Sequence, residues 1–489
     1  MTYPPEEHTA RAGIASLPGS RPAAFPLLTD PVTPASVPLF VENFLRGEKP
    51  ADEWRCGVEF ELFGYDRAAG YARLDAGQVQ RVLAGFAPSS NALVYEGGTL
   101  VEVSDGWNSR LTVEPGGQVE FSGAPHARLA DVEREVRRYL ARLGEVAEGH
   151  GLAFVAAGFD PLRTLSEQRW FPKMRYEVMR PYLATRGARA WDMMTRTCAV
   201  QTNLDYGTPE DLRKKFLVGN RLAPVVTAMF ANSPFENGRP SGYKSTRGVV
   251  WLRTDPDRTG LAPPALADDF GPKDYVAYAL GVPMIFVQRE GLYLDEVTGR
   301  TFRHFLARGD AGEGWGGHGE SDGGSDGGSD GRLAPVFGDW ADHLTTLFTD
   351  ARLKQHIELR AGDCNDLEMS LALQAFWKGL LYDASALDAA LRVAPRLAAA
   401  DAQLLRECVA RDGLAARHAG VDVLGLARES VLLAADGLAR VAPDETHYLD
   451  ILRERVVAEG ICPADILLRN FEGSWHKSAE RVVEHLRVA

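Results

Sequence analysis

Residues Cys56–Tyr65 read CGVEFELFGY. As a β-strand, whose side chains alternate between faces, this stretch puts Val58, Phe60 and Leu62 on one side and Glu59 and Glu61 on the other. Two carboxylates then stand side by side above an apolar floor. Like charges that close repel, so the pair persists only if one is protonated or a cation lies between them. A hard divalent cation, with its preference for oxygen ligands, is the simplest partner. An exposed strand with both acids in solvent fits the same residues, so the choice turns on whether the pattern returns.

It returns three times. Leu111–Phe121, LTVEPGGQVEF, is two short extended pieces broken at Pro115-Gly116-Gly117, a sequence suited to a tight turn or bulge that re-aims its flanks. Glu114 precedes the break, and Glu120 alternates with Val119 and Phe121 after it. In Thr197–Tyr206, TCAVQTNLDY, Val200 and Leu204 point one way while Gln201, Asn203 and Asp205 share the other face. A polar strip of that kind is costly to bury without a ligand, water or polar partners. Leu353–Arg360, LKQHIELR, is expected as one more alternating strand, with Ile357 and Leu359 toward the core and His356, Glu358 and Arg360 opposite.

Helical spacing of apolar residues marks Ser36–Arg46, Ala76–Phe86 and Arg128–Gly149, and a helix N-capped by Thr208 with Pro209 in its first turn is expected to reach about Phe230. The turn-rich stretch from Asn232 carries Arg247, Arg253 and Arg258. Loops carry binding residues, and a guanidinium offers a carboxylate or phosphate a bidentate fork, although surface arginine is the plainer account of each. Residues 1–33 are expected to be a flexible lead-in, 34–390 the main folded domain, and 391–489, rich in Ala, Leu and Arg, a helical part packed on it. Within the second, residues 309–331 repeat Ser, Asp and Gly, cannot bury a core, and are expected to be a disordered insertion.

With 489 residues, 45% of them hydrophobic, the chain can bury a large core, and its net charge of -13 argues against a general nucleic-acid or anionic-membrane binder. No apolar run approaches the length of a membrane span, and the first fifty residues lack a secretory signal, so a cytoplasmic location is expected. The five cysteines, Cys56, Cys198, Cys364, Cys408 and Cys462, have no CxxC spacing and read as buried, reduced thiols.

Taken in order, GVEFELFG, VEPGGQVEFSGAP, DMMTRTCAVQTNLDY, ANSPFENGRPSGYKS with RGVVW, DPDRTG and HIELR resemble the plant and proteobacterial type of glutamate-cysteine ligase, over roughly Thr33–Ala390. The resemblance implies an α+β fold related to glutamine synthetase: a curved, mainly antiparallel sheet lined with acids and packed on helices. It implies ATP-dependent formation of gamma-glutamylcysteine from L-glutamate and L-cysteine, with magnesium as cofactor. By the same resemblance Glu59, Glu61, Glu114, Glu120 and Glu358 are magnesium ligands, and Gln201 stands where some distant members have a histidine ligand. Arg360 falls near the transferred phosphate, Arg247 at the glutamate α-carboxylate, and Trp251, Arg258 and Asn203 in the substrate pocket. The partners expected are small-molecule substrates, in a monomer or homodimer, with no nucleic acid and no membrane. A different amine acceptor, a different thiol pathway such as that of ergothioneine, and a catalytically silent relative remain open at this stage.

Overall fold

The computed structural model describes residues 25–87, 92–104, 109–310 and 333–489. Most of the lead-in and the Ser/Asp/Gly insertion from residue 311 on lie outside the described residues.

The strand Cys56–Asp66 (β1) organises the fold. Its first half lies between Val119–Ser122 (β6) and Ala199–Leu204 (β8), and its second half between Ala72–Arg73 (β2) and Leu152–Val155 (β7). Outward from β6 follow Arg110–Val113 (β5), Thr99–Ser104 (β4) and Leu93–Glu96 (β3). Outward from β8 follow Ile357–Asp363 (β10) and Ala351–Leu353 (β9). These ten strands form one sheet, ordered β9-β10-β8-β1-β6-β5-β4-β3 with β2 and β7 beside β1, and its pairings are antiparallel.

Alternation decides which face is wet. Val58, Phe60 and Leu62 are buried at 2% exposure or less, each contributing on the order of 1.5–3 kcal/mol of apolar burial. Beneath them the helix Leu367–Tyr382, apolar nearly all round, packs on β1 and β8 and on the helix Val423–Val441. The two helices cross closely because Gly379 and Gly437 face each other: a Cβ on Gly437 would stand 2.0 Å from the Gly379 carbonyl. One continuous buried cluster runs from Val32 to Val483, so the C-terminal helices share the core of the sheet. The architecture is α+β, an antiparallel sheet packed on helices with a helical C-terminal part.

Four local expectations need correction. LKQHIELR is a hairpin, not one strand: the chain turns over Lys354–His356, with Lys354 N donating to His356 O at 2.8 Å, and Arg352 then lies opposite Glu358. The helix after Thr208 ends at Arg221 and a second runs Ala223–Met229, because Pro224 lacks an N–H and its ring crowds the preceding turn. The turn-rich region contains the helix Thr246–Leu252, whose N-cap Ser245 Oγ accepts from Gly248 N at 2.9 Å. The lead-in is docked from residue 25 on, with Phe25 edge-on to Phe337 and Val32 N bonded to Pro335 O.

Candidate active site

Strand register assembles the polar face. Glu61 is the cross-strand partner of Glu120, and Glu120 of Thr112; Glu59 pairs with Gln201, and Asn203 with Glu358. At the Pro115-Gly116-Gly117 break, Gly117 adopts φ 75°, open to glycine, and Gly117 N bonds Glu114 O at 2.9 Å. That turn brings Glu114 to the same face. The helix Met174–Ala184 supplies Arg175, Tyr176 and Met179 to the opposite wall, and Thr246–Leu252 supplies Arg247 and Trp251. Together these groups enclose a cavity of about 660 Å³, within the range of small-molecule sites.

Charge is sorted within it. Glu59, Glu61, Glu114 and Glu120 lie on the floor. Burial, then the charges of Glu358 and Glu120, push the Glu59 carboxyl up to about 7. Burial and Glu114 push Glu120 up to about 7, and burial with Glu120 and Glu114 holds Glu61 well above the usual carboxylate range. Glu61 is nevertheless fixed in place, its Oε2 accepting from Ala199 N at 2.6 Å and its Oε1 from Gln201 Nε2 at 3.1 Å. Arg360 donates to Gln201 Oε1 and to Glu358.

Arg247 is 4% exposed and donates from Nη2 to the Arg360 carbonyl at 2.8 Å. Its guanidinium and that of Arg360 each lie 5.8 Å from the Trp251 ring. Arg247 Nε and Trp251 Nε1 are buried without a partner among the described residues, so the corner has two donors to offer an anion.

Two assigned residues stand elsewhere. Glu358 is fully buried behind the cavity wall, taking Arg352 Nη2 at 2.6 Å, Lys354 Nζ at 2.7 Å and Arg360. Burial opposes its ionisation, but those three cations outweigh it and hold the carboxyl well below the ordinary range. Its lone pairs are taken by side chains, which sets it apart from the cavity-facing acids. Arg258 does not line the cavity: it is fully buried, its Nε donating to Asp255 at 2.7 Å and its Nη1 to Thr346 Oγ1 at 3.1 Å. Asp205 and Arg253 are also accounted for, the first bonded to Lys49 and Arg55 N, the second exposed. Arg352, Lys354 and Arg175 are cavity residues that alternation does not single out.

The description "Glutamate-cysteine ligase family 2(GCS2)" matches residues 55–485. The chain belongs to this family. It is 37% identical over 459 residues to the chloroplastic glutamate–cysteine ligase of Medicago truncatula, covering 94% of this chain and 86% of that one. With the Arabidopsis thaliana enzyme of the same name identity is 38% over 471 residues, covering 94% and 85%. A crystal structure of glutamate–cysteine ligase from Francisella tularensis in complex with AMP superposes with a TM-score of 0.50 at 13% identity, covering 88% of this chain and 89% of that one. At that identity the likeness is one of fold.

Membership in a glutamate-cysteine ligase family raises the question of magnesium. Among the described residues no three His, Cys, Asp or Glu side chains form a ready-made metal cage. The floor is nonetheless an all-oxygen set of crowded carboxylates, and no Lys or Arg bridges to Glu59, Glu61 or Glu120 among the described ion pairs. Such a set fits a hard cation that arrives with phosphate oxygens completing its shell. The four cysteines at positions 56, 198, 364 and 462 are buried, Cys408 is half-buried, and all five are free thiols. Burial raises the Cys56 thiol to about 12, so it is no nucleophile. Among the described residues no helix is long and apolar enough to cross a membrane.

Proposed function

We propose that this chain joins the γ-carboxylate of L-glutamate to the amine of L-cysteine, converting ATP to ADP and phosphate and giving γ-glutamylcysteine, the first step of glutathione synthesis. The observation that carries the reading is a single cavity, in a chain of this family, whose carboxylate floor faces the Arg247–Trp251–Arg360 corner.

A carboxylate does not acylate an amine in water until one of its oxygens becomes a leaving group. Phosphorylation achieves this: a γ-carboxylate oxygen bonds the terminal phosphorus of ATP, ADP departs, and an acyl phosphate results. The cysteine amine then bonds the acyl carbon and releases a proton, and phosphate leaves with the original carboxylate oxygen. The enzyme's tasks are positioning and charge stabilisation. Arg360, oriented by Glu358 and Gln201, donates to the oxygens of the moving phosphoryl group. Arg247 Nε and Trp251 Nε1 receive the glutamate α-carboxylate, and Asn203 faces the bound substrates. Glu59, Glu61, Glu114 and Glu120 would hold magnesium, which would neutralise the triphosphate charge when bound. No protein nucleophile is required, in keeping with the buried thiols. The reduced cysteines also favour the cytoplasm as the site of action, whereas the curated relatives named above are chloroplastic.

The test is ADP release with glutamate and a panel of amines. Cysteine should give the highest turnover per KM; release with alanine or 2-aminobutyrate equal to that with cysteine would overturn the acceptor.

A further inference from the structure

Two amides of β8 face the paired acids of β1, and the fold uses them differently. Gln201 is closed at both ends, its Nε2 donating to Glu61 at 3.1 Å and its Oε1 accepting from Arg360. Its backbone carbonyl accepts from Gln374 Nε2 at 3.2 Å, and the residue is 2% exposed. Asn203 is closed at one end only: Nδ2 donates to Glu59 Oε1 at 2.9 Å, and Oδ1 is buried with no partner among the described residues.

Neighbours fix both orientations. A guanidinium only donates, so Gln201 must turn its oxygen to Arg360. A Glu59 that carries a cation is ionised and only accepts, so Asn203 keeps its nitrogen on Glu59 when the cation is bound. The Asn203 oxygen is thereby left over, a buried acceptor without a donor, which is unfavourable until something binds it.

We propose that Asn203 Oδ1 is a neutral ligand for the divalent cation carried at Glu59, and that Gln201 is a positioning residue fixing Arg360 against Glu61. Hard cations accept amide oxygens alongside carboxylates. The Gln201 oxygen is occupied by a guanidinium, whose charge disfavours a cation beside it. This deepens the ligase reading, on which it rests only for the presence of a divalent ion in the cavity.

Mn2+ alone, titrated into the nucleotide-free full chain and followed by electron paramagnetic resonance, reads the ligand set without catalysis. Asn203→Ala should weaken Mn2+ binding at least about 10-fold, and Asn203→Asp, which restores an oxygen, should hold or tighten it. Gln201→Ala should leave Mn2+ affinity within about threefold while kcat falls at least about 10-fold, the loss of a positioning contact. Parental affinity in Asn203→Ala, or a larger loss in Gln201→Ala than in Asn203→Ala, overturns the assignment. A parent that binds no Mn2+ overturns it together with the cation. A parent that binds Mn2+ as described but releases no ADP with glutamate and cysteine leaves it standing and overturns the ligase reading instead.

Discussion

Glu61 on β1 and Glu120 on β6 are direct cross-strand partners, two half-buried carboxylates side by side with no Lys or Arg paired to either among the described ion pairs. Neutralising one removes repulsion from the resting fold and a charge from the cation site. Glu61→Gln is therefore expected to lower kcat at least about 100-fold with little change in the unfolding midpoint, because the relieved repulsion offsets the hydrogen bond lost when the new NH2 meets Ala199 N or Gln201 Nε2. Kinetics at saturating magnesium, beside urea melts, check both halves.

Glu358 has the opposite balance. It binds Arg352, Lys354 and Arg360 at once, so Glu358→Gln leaves a buried cluster of cations without its counter-charge. A loss of about 3–5 kcal/mol in stability is expected, along with lower turnover as Arg360 loosens. Urea melts in which this variant matched Glu61→Gln would contradict the distinction between the two acids.

Arg247 and Arg258 separate in the same way. Arg247→Met should raise the KM for glutamate about 10- to 100-fold, the worth of a charged hydrogen bond. Arg258→Met should destabilise the chain by about 3 kcal/mol, because it takes from the fully buried Asp255 its closest cation and leaves it Arg186 at 3.4 Å and the Asp257 N–H, with glutamate KM unchanged in the folded fraction. Steady-state kinetics and melts on the two variants decide this.

His343, which does not line the cavity, gives a pH-dependent expectation. It is 2% exposed, its Nε2 bonded to Ala279 O at 2.8 Å, and burial lowers its pKa to about 3. The unfolded chain, with a histidine pKa near ~6.5, takes the proton first. The stability this residue contributes is thus complete above that pH and is lost as pH falls toward the folded value, by about 2 kcal/mol at pH ~5. The stability gap between the parent and His343→Gln, measured by urea melts, should shrink by that amount between pH ~7 and ~5. A gap independent of pH would contradict it.

The floor of the site is legible in sequence because strand alternation is local: GVEFEL and QVEF already place Glu59, Glu61 and Glu120 opposite apolar neighbours. The Arg352–Glu358 pairing is not, since LKQHIELR is strand-like throughout and its turn at Lys354–His356 uses no Gly, Pro or Asn. The helix Thr246–Leu252 hides among turn residues, although Ser245 ahead of Gly248 and the apolar Val249 and Val250 is an N-cap signal. The break at Leu222 is announced by Pro224. Arg258 illustrates the limit of composition: an arginine for a ligand and one for the core look alike until Asp255, three residues earlier, is seen to take it. Which atom of an amide stays unpaired, as at Asn203, depends on contacts from three strands and is beyond any linear reading.

The central claim is that this cavity makes a carboxylate oxygen into a leaving group by phosphorylation. L-glutamate labelled with 18O in its γ-carboxylate, turned over with ATP and cysteine, tests it directly by mass spectrometry of the phosphate released. One labelled oxygen in each phosphate is the predicted result; phosphate free of label, with γ-glutamylcysteine formed, would contradict the mechanism.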